Sequence, residues 1–208
     1  MKKVLLTGFE PFGDYEFNPT MDIVDWNNGR TITGAEEIIG MVLPSTYFDP
    51  FLKVSKFIDE EKPDAILSLG LSSSIHSIRI ETLFRNKMLS KYSDAHGYKP
   101  NGVPIDKSIG SFKTLTPLPL IEILMLKEQL MNNGIVPEIS KDAGTFICNS
   151  LGYQITKKIT DQNLPIKFIF IHIPWTDDYK SKIQLEKGKQ FIKKDIVYNA
   201  IDTLIKYI

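Results

Sequence analysis

Apolar positions along the chain follow two rhythms. Six short stretches rich in β-branched and aromatic residues read as strands: Lys2–Thr7, Ile38–Leu43, Ala65–Leu69, Ile75–Phe84, Ile135–Ile139 and Phe168–Ile173. Between and after them, longer stretches with apolar residues at helical spacing predict helices over Pro19–Asn27, Tyr47–Glu60, Pro119–Asn133, Phe146–Thr160 and Lys189–Tyr207. Alternation of strand and helix predicts an α/β fold. The expected form is a single three-layer domain over residues 1–208, with a twisted, largely parallel or mixed sheet between helices. Ser90–Thr116 breaks the rhythm. It carries Gly97, Pro100, Gly102, Pro104 and Gly110, and predicts a long irregular loop, mobile and lying over the functional site.

Composition narrows the function. Of 208 residues, 42% are hydrophobic and 24% charged, and 25 basic side chains balance 25 acidic ones. That balance offers no electrostatic footprint for nucleic acid or for anionic lipid. The apolar part of the N-terminal segment is too short for a signal peptide, and no apolar run approaches a membrane span. One cysteine permits neither an internal disulfide nor a multi-cysteine metal site. This suits a reducing cytoplasm, with neither metal nor cofactor expected.

The lone cysteine is Cys148, in Asp142-Ala143-Gly144-Thr145-Phe146-Ile147-Cys148-Asn149. Gly144 interrupts the preceding structure and Thr145 reads as an N-cap, which puts Cys148 in the first turn of a helix. Unpaired N–H groups and the helix dipole favour an anion there. A free cysteine is more often a small buried hydrophobe, so the surroundings decide. In open α/β sheets, ligands bind beyond the carboxyl ends of the strands. Four segments fall at that edge: Gly8–Gly13, the stretch from Gly70 to Glu81, the helix start at Cys148, and His172 at a strand end before Pro174. Ser77, Arg79 and Glu81 alternate with Ile78 and Ile80, so the polar three share a face. A thiol, an imidazole and a carboxylate can converge in this arrangement, the imidazole deprotonating the thiol and the carboxylate orienting the imidazole. His76 and His96 have no partner at metal-ligand spacing and read as surface residues.

Several longer strings carry a resemblance. "VLLTGFEPFG" followed by Asn18-Pro19, "AGTFICN" around Cys148 and "FIHIPW" around His172 are similar to the motifs of pyrrolidone-carboxylate peptidases, the pyroglutamyl peptidase I family of cytosolic cysteine peptidases. Glu81 lies at the family's spacing from Gly70. Asn86, Asp94, Gly97, Pro100 and Pro104 also keep its register. The resemblance implies a peptidase that removes an N-terminal pyroglutamate from peptides, assembled as a homotetramer. It implies Cys148 as nucleophile, His172 as general acid/base and Glu81 as its orienting carboxylate. Phe9, Phe12, Asn18, Ser45, Leu71, Lys91, Phe146 and Ile147 match positions around the bound pyroglutamyl ring or the oxyanion.

Departures from the family pattern sit close to these positions. Gly70 is followed by Leu71-Ser72-Ser73-Ser74-Ile75, where the family has Gln-Ala-Gly-Gly-Arg. Lys91 replaces an arginine and loses its planar fork. Asp142 replaces a serine, and its charge is expected to oppose ionisation of the thiol. Two further readings stand beside the peptidase. One is a cysteine amidohydrolase on the same scaffold with a shifted amino-terminal substrate, suggested by Leu71 and Ile75. The other is a binding paralogue without turnover, disfavoured because all three triad residues are present.

Overall fold

The computed structural model describes residues 1–33, 36–110, 113–183 and 191–208. Its main sheet has the order β2-β1-β3-β10-β4-β9. Four strands run parallel: β2 (Glu36–Leu43), β1 (Lys2–Phe9), β3 (Ala65–Leu71) and β10 (Lys167–Ile173). The last two, β4 (Arg79–Glu81) and β9 (Glu138–Ser140), are parallel to each other and antiparallel to β10. The sheet is therefore mixed, and mostly parallel.

The period-two alternation of strand side chains sorts the core into two layers. On β10, Ile169, Ile171 and Ile173 join Leu67, Leu69, Ile78 and Ile80 under α1 (Pro19–Asn27), α3 (Leu120–Asn132) and α5 (Lys194–Tyr207). Phe168 and Phe170 face the other way with Leu5 and Ile66, under α2 (Asp49–Glu61) and α4 (Ile147–Asp161). Asn18 opens α1 by accepting from Thr20 N at 3.1 Å, with Pro19 supplying a preset first helical position.

The stretch Ile75–Phe84, expected as one strand, is two. Residues 72–75 form a turn, with Ile75 N donating to Ser72 O. The chain then divides at Thr82, whose N–H and hydroxyl both donate to Ser140 O, at 2.9 and 2.7 Å. Beyond it, β5 (Leu83–Arg85) leaves the main sheet and pairs antiparallel with β8 (Lys113–Leu115). Phe84 is thereby turned onto α4, where a side chain at Gly152 would lie 2.2 Å from its ring. Packing, invisible in a local pattern, sets this break.

The region Ser90–Thr116 holds more hydrogen-bonded structure than its glycines and prolines predict, apart from 111–112, which lie outside the described residues. Its β7 (Asn101–Val103) pairs with β6 (Met88–Leu89), and two buried polar side chains brace the rest. The Asp94 carboxylate accepts from the N–H groups of Tyr47, His96 and Tyr98 at 3.1, 3.0 and 2.9 Å. The Asn86 amide donates to the carbonyls of Asp106, Ile109 and Gly110 and accepts from Asp106 N. The first half of the region lies against the 45–47 segment, with Ala95 N donating to Ser45 O.

After β10, the short strands β11 (Trp175–Thr176) and β12 (Phe191–Ile192) pair, with a 3-10 turn at Asp177–Tyr179. Of the final helix expected from Lys189, residues 189–190 lie outside the described residues. The helix itself begins at Lys194, whose N–H is held by Asp177 Oδ1 at 2.9 Å. Among the described residues, no helix is long and apolar enough to cross a membrane.

Candidate active site

Glu81 and His172 meet because β4 runs antiparallel beside β10. The register sets Glu81 opposite Phe170 and Arg79 opposite His172. With Ile80 and Ile171 committed to one core layer, Glu81 and His172 both point to the α4 side. There His172 Nδ1 lies 2.8 Å from Glu81 Oε1. Glu81 is 1% exposed, and its Oε2 has no hydrogen-bond partner among the described residues. A carboxylate buried in this way depends on its imidazole partner for compensation.

Cys148 reaches the same place from above. It occupies the second position of α4 and packs against the Phe168/Phe170 layer. Gly70 sits where the thiol and the imidazole converge. A Cβ built there would lie 2.8 Å from Cys148 Sγ, 2.9 Å from His172 Cδ2 and 3.0 Å from His172 Nε2. Real Cβ contacts are essentially never so short, so the bare glycine Cα is what admits both groups. The imidazole thus has the carboxylate on Nδ1 and faces the thiol through Nε2.

Burial is the largest single effect on the imidazole and works against its charging. The charge and hydrogen bonding of Cys148, together with the hydrogen bond and charge of Glu81, outweigh it and raise His172 to about 9. The arrangement therefore favours the imidazolium form of His172.

The expected helix cap is absent. Thr145 spends its hydroxyl on Leu89 O at 2.7 Å, and Leu89 N donates back to Thr145 O at 3.0 Å. The N-cap position falls instead on Phe146, in extended conformation and with no side-chain capping bond. Donors in the first turn of α4, around Cys148, are left without a cap side chain to occupy them.

Beside the thiol lies a small apolar pocket. Phe9, Phe12, Asn18, Ser45, Leu71, Phe146, Ile147 and Cys148 line it. Seven of the eight positions matched in the sequence around the ring or the oxyanion thus surround one cavity. Lys91 does not join them: it is exposed and outside the lining. Ile75 is buried, again outside the lining. The two polar side chains of the pocket are already engaged. Asn18 Nδ2 and Ser45 Oγ both donate to Glu10 O, at 3.1 and 2.8 Å, and Asn18 Oδ1 accepts from Thr20. They shape the wall through the Glu10 carbonyl. Leu71 packs with Trp175 and Tyr179, and Phe12 and Tyr15 close over that cluster.

Sequence reasoning gave no supporting role to three contributors to this site, Tyr47, Asp94 and Arg85. Tyr47 stacks edge-on against Phe146 at 5.4 Å and against Tyr98 at 5.7 Å. Asp94 holds the Tyr47 N–H, and the Asp94-Ala95-His96-Gly97 string was a turn signal that could have revealed it. Arg85 pairs with Asp142 at 2.9 Å. A separate groove of about 700 Å³, on α2 and the far part of α4, shares no lining residue with the pocket. No cluster of three or more His, Cys, Asp or Glu side chains that could hold a metal occurs among the described residues.

Comparison with known proteins agrees with this geometry. The family model described as pyroglutamyl peptidase matches residues 2–203. The pyrrolidone-carboxylate peptidase of Thermococcus litoralis is 33% identical over 178 residues, covering 86% of this chain and 79% of the relative. Pyrrolidone-carboxylate peptidase 1 of Caldanaerobacter subterraneus subsp. tengcongensis is 33% identical over 207 residues, covering 99% of this chain and 97% of the relative. Among solved structures, the T. litoralis enzyme superposes with a TM-score of 0.89 at 29% identity, over 100% of this chain and 93% of that one. Pyroglutamyl peptidase I of Bacillus amyloliquefaciens gives 0.87 at 28% identity, over 98% and 94%. With a family match along nearly its whole length and a thiol, an imidazole and a carboxylate gathered at one sheet edge, the chain belongs to the pyroglutamyl peptidase family of enzymes.

Proposed function

We propose that this single-domain enzyme removes N-terminal pyroglutamate from peptides through a Cys148–His172–Glu81 triad and an acyl-thioenzyme. The observation that carries the reading is the imidazole held at 2.8 Å by a buried carboxylate, with the thiol of a helix start on its other side. The Cys148 thiolate attacks the carbonyl carbon of the pyroglutamyl bond. Uncapped N–H groups in the first turn of α4 receive the developing oxyanion. The C–N bond then breaks as His172 gives its proton to the leaving amine. His172, now neutral, takes a proton from water, the hydroxide attacks the thioester, and pyroglutamate leaves with the thiolate restored. Glu81 keeps Nδ1 protonated and stabilises the imidazolium.

The pocket suits a flat, uncharged lactam. Its walls are Phe9, Phe12, Phe146, Ile147 and Leu71, and Asn18 and Ser45 are occupied with Glu10. Recognition of the lactam N–H and C=O falls in this reading to backbone groups. Such a pocket rejects a charged amino terminus, which it cannot solvate. Peptide substrates, a cytoplasmic location and a homotetrameric assembly complete the proposal, on the strength of the family resemblance.

Turnover of a chromogenic pyroglutamyl amide, measured beside other aminoacyl amides, tests the reading. Selective cleavage that is abolished in Cys148→Ala is expected; no cleavage of any amide by the folded protein overturns it. A second reading, a shifted amino-terminal substrate, draws on Leu71, whose buried side chain offers no hydrogen bond to the pocket. Preference for a different amide in the same panel would favour it.

A further inference from the structure

The order of the sheet divides the site in two. The pocket residues that strand ends deliver all come from one side of β10: Phe9 closes β1, Leu71 closes β3, and Ser45 lies just past β2. In the order β2-β1-β3-β10-β4-β9, these three strands lie to one side of His172, and β4 and β9 lie to the other. In the proposed chemistry the acyl half of the substrate occupies the pocket and the amine half meets His172. The leaving chain is therefore directed toward β4 and β9. On that side, β4 carries Arg79 directly opposite His172 in the antiparallel register. Arg79 alternates with Ile80, which is committed to the other core layer, so it shares a face with Glu81 and His172. Side chains directly opposite each other on one face of an antiparallel pair stand about 5 Å apart at Cβ.

Glu81 is taken up by the imidazole, but the triad makes no use of Arg79. Its Nε donates to Glu138 Oε2 at 2.7 Å, across the parallel register of β9. The two terminal nitrogens make no hydrogen bond among the described residues, and 35% of the side chain is exposed. Nearby, the Asp142 carboxylate is already met by Arg85. A guanidinium presents its donors as a planar fork, and two of them can hold one carboxylate. We infer that Arg79 is a specificity-determining residue that receives a carboxylate on the residue following pyroglutamate. In a dipeptide this is the C-terminal carboxylate, whose carbon is two bonds from the leaving nitrogen. In a longer peptide it is the acidic side chain of the same residue. Glu138 competes for the same guanidinium and moderates its pull. The inference rests on the proposed peptidase reading and adds to it a class of preferred leaving group.

Two matched pairs of substrates test it. One pair is pyroglutamyl-alanine and pyroglutamyl-alaninamide. The other is pyroglutamyl-aspartate and pyroglutamyl-asparagine, both blocked as amides at the α-carboxyl group. Release of the amine gives kcat/KM, and the charged-to-neutral ratio within each pair is the readout. The wild type should favour the carboxylate in at least one pair by about threefold to fivefold, the range of a part-exposed ion pair. The pair that shows it identifies the source of the carboxylate, and added salt should shrink the ratio. Arg79→Met, which keeps a long apolar stem, should bring the ratio to about one. Glu138→Gln, which frees the guanidinium from its competitor, should raise it. If the ion pair only ties β4 to β9, both variants break it alike and the ratios shift together or stay put. A wild-type ratio near one, a ratio that survives Arg79→Met, or a parallel shift in the two variants overturns the inference, with all four substrates still cleaved. Cleavage of none of the four overturns the peptidase reading and this inference with it.

Discussion

Arg85 and Asp142 form an ion pair at 2.9 Å in the segment that leads into α4, and the same carboxylate oxygen accepts the Gly144 N–H at 3.0 Å. The sequence alone suggests that Asp142 opposes ionisation of the neighbouring thiol. In the fold its charge is met by a guanidinium on β5, and the pair ties the approach to Cys148 to that strand. The partners are substantially exposed, so the pair adds little to stability.

Arg85→Ala should therefore cost turnover more than stability. With Asp142 uncompensated, kcat/KM is expected to fall by roughly threefold, in line with the fraction of a kcal/mol an exposed pair carries. Added salt should narrow the deficit by screening the bare carboxylate. Asp142→Ser, combined with Arg85→Ala, should recover most of the loss. Steady-state kinetics at two ionic strengths check all three statements.

His172 governs the alkaline side of both activity and stability. Its folded value is raised to about 9 from 6.5, so the protonated ring favours the fold. That contribution is complete below the unfolded value and is lost as pH rises through about 9. Activity should fall over the same range, as the imidazolium that protonates the leaving amine disappears. Glu81→Gln removes a carboxylate that holds the proton on the ring. The alkaline limb should then move to lower pH and the maximal rate should drop by about 10²-fold or more, the scale of a misoriented acid/base group. A pH–rate profile with an unmoved alkaline limb would separate Glu81 from the imidazole.

Gly70→Ala asks whether the thiol and imidazole need the bare Cα. The added methyl has no room beside Sγ, Cδ2 and Nε2. The expected result is loss of most activity and slowed alkylation of Cys148, with overpacking costing about 1–3 kcal/mol of stability. Normal turnover in this variant would mean that the site opens more widely during the reaction than its resting geometry implies.

Leu71→Gln addresses specificity. Among the pocket's side chains, Asn18 and Ser45 are engaged elsewhere and Leu71 offers no polar group. A glutamine there should raise the preference for a pyroglutamyl amide over a prolyl amide, which lacks the lactam carbonyl. The gain corresponds to one hydrogen bond, about 0.5–1.5 kcal/mol or several-fold. An unchanged ratio would assign lactam recognition to the backbone and Leu71 to packing against Trp175.

Much of the architecture was legible in the sequence because it rests on periodicity. Ile169 and Ile171 against Phe168 and Phe170, and Ile80 against Glu81, announce which side chains share a face. The meeting of Cys148 and His172 at one edge follows from that alternation plus the rule that ligands bind at the carboxyl ends of strands, whereas Glu81 joins them through the antiparallel register of β4 beside β10, which the pattern did not announce. What could not be read depends on distant partners. Thr82 ends β4 because Ser140 O takes both its donors, Thr145 fails as a cap because Leu89 O takes its hydroxyl, and the described part of Ser90–Thr116 gains its turns because Asp94 and Asn86 gather its backbone. Lys91 held its sequence register and still fell outside the pocket, since register does not fix where an exposed side chain goes.

Glu81 and His172 ride on adjacent hydrogen-bonded strands, whereas Cys148 belongs to a helix that rests on Phe168 and Phe170 of the sheet and on the ring of Phe84, from β5, against Gly152. The acid–base pair is an anvil, and the nucleophile is a hammer hung from another layer. Strand pairing keeps the first distance fixed under strain that leaves the sheet intact; sliding of α4 over Phe168, Phe170 and Phe84 alters the second. In the proposed chemistry, turnover is then a gauge of how firmly one layer sits on the other. Gentle heat or denaturant should silence the enzyme while the sheet is still whole.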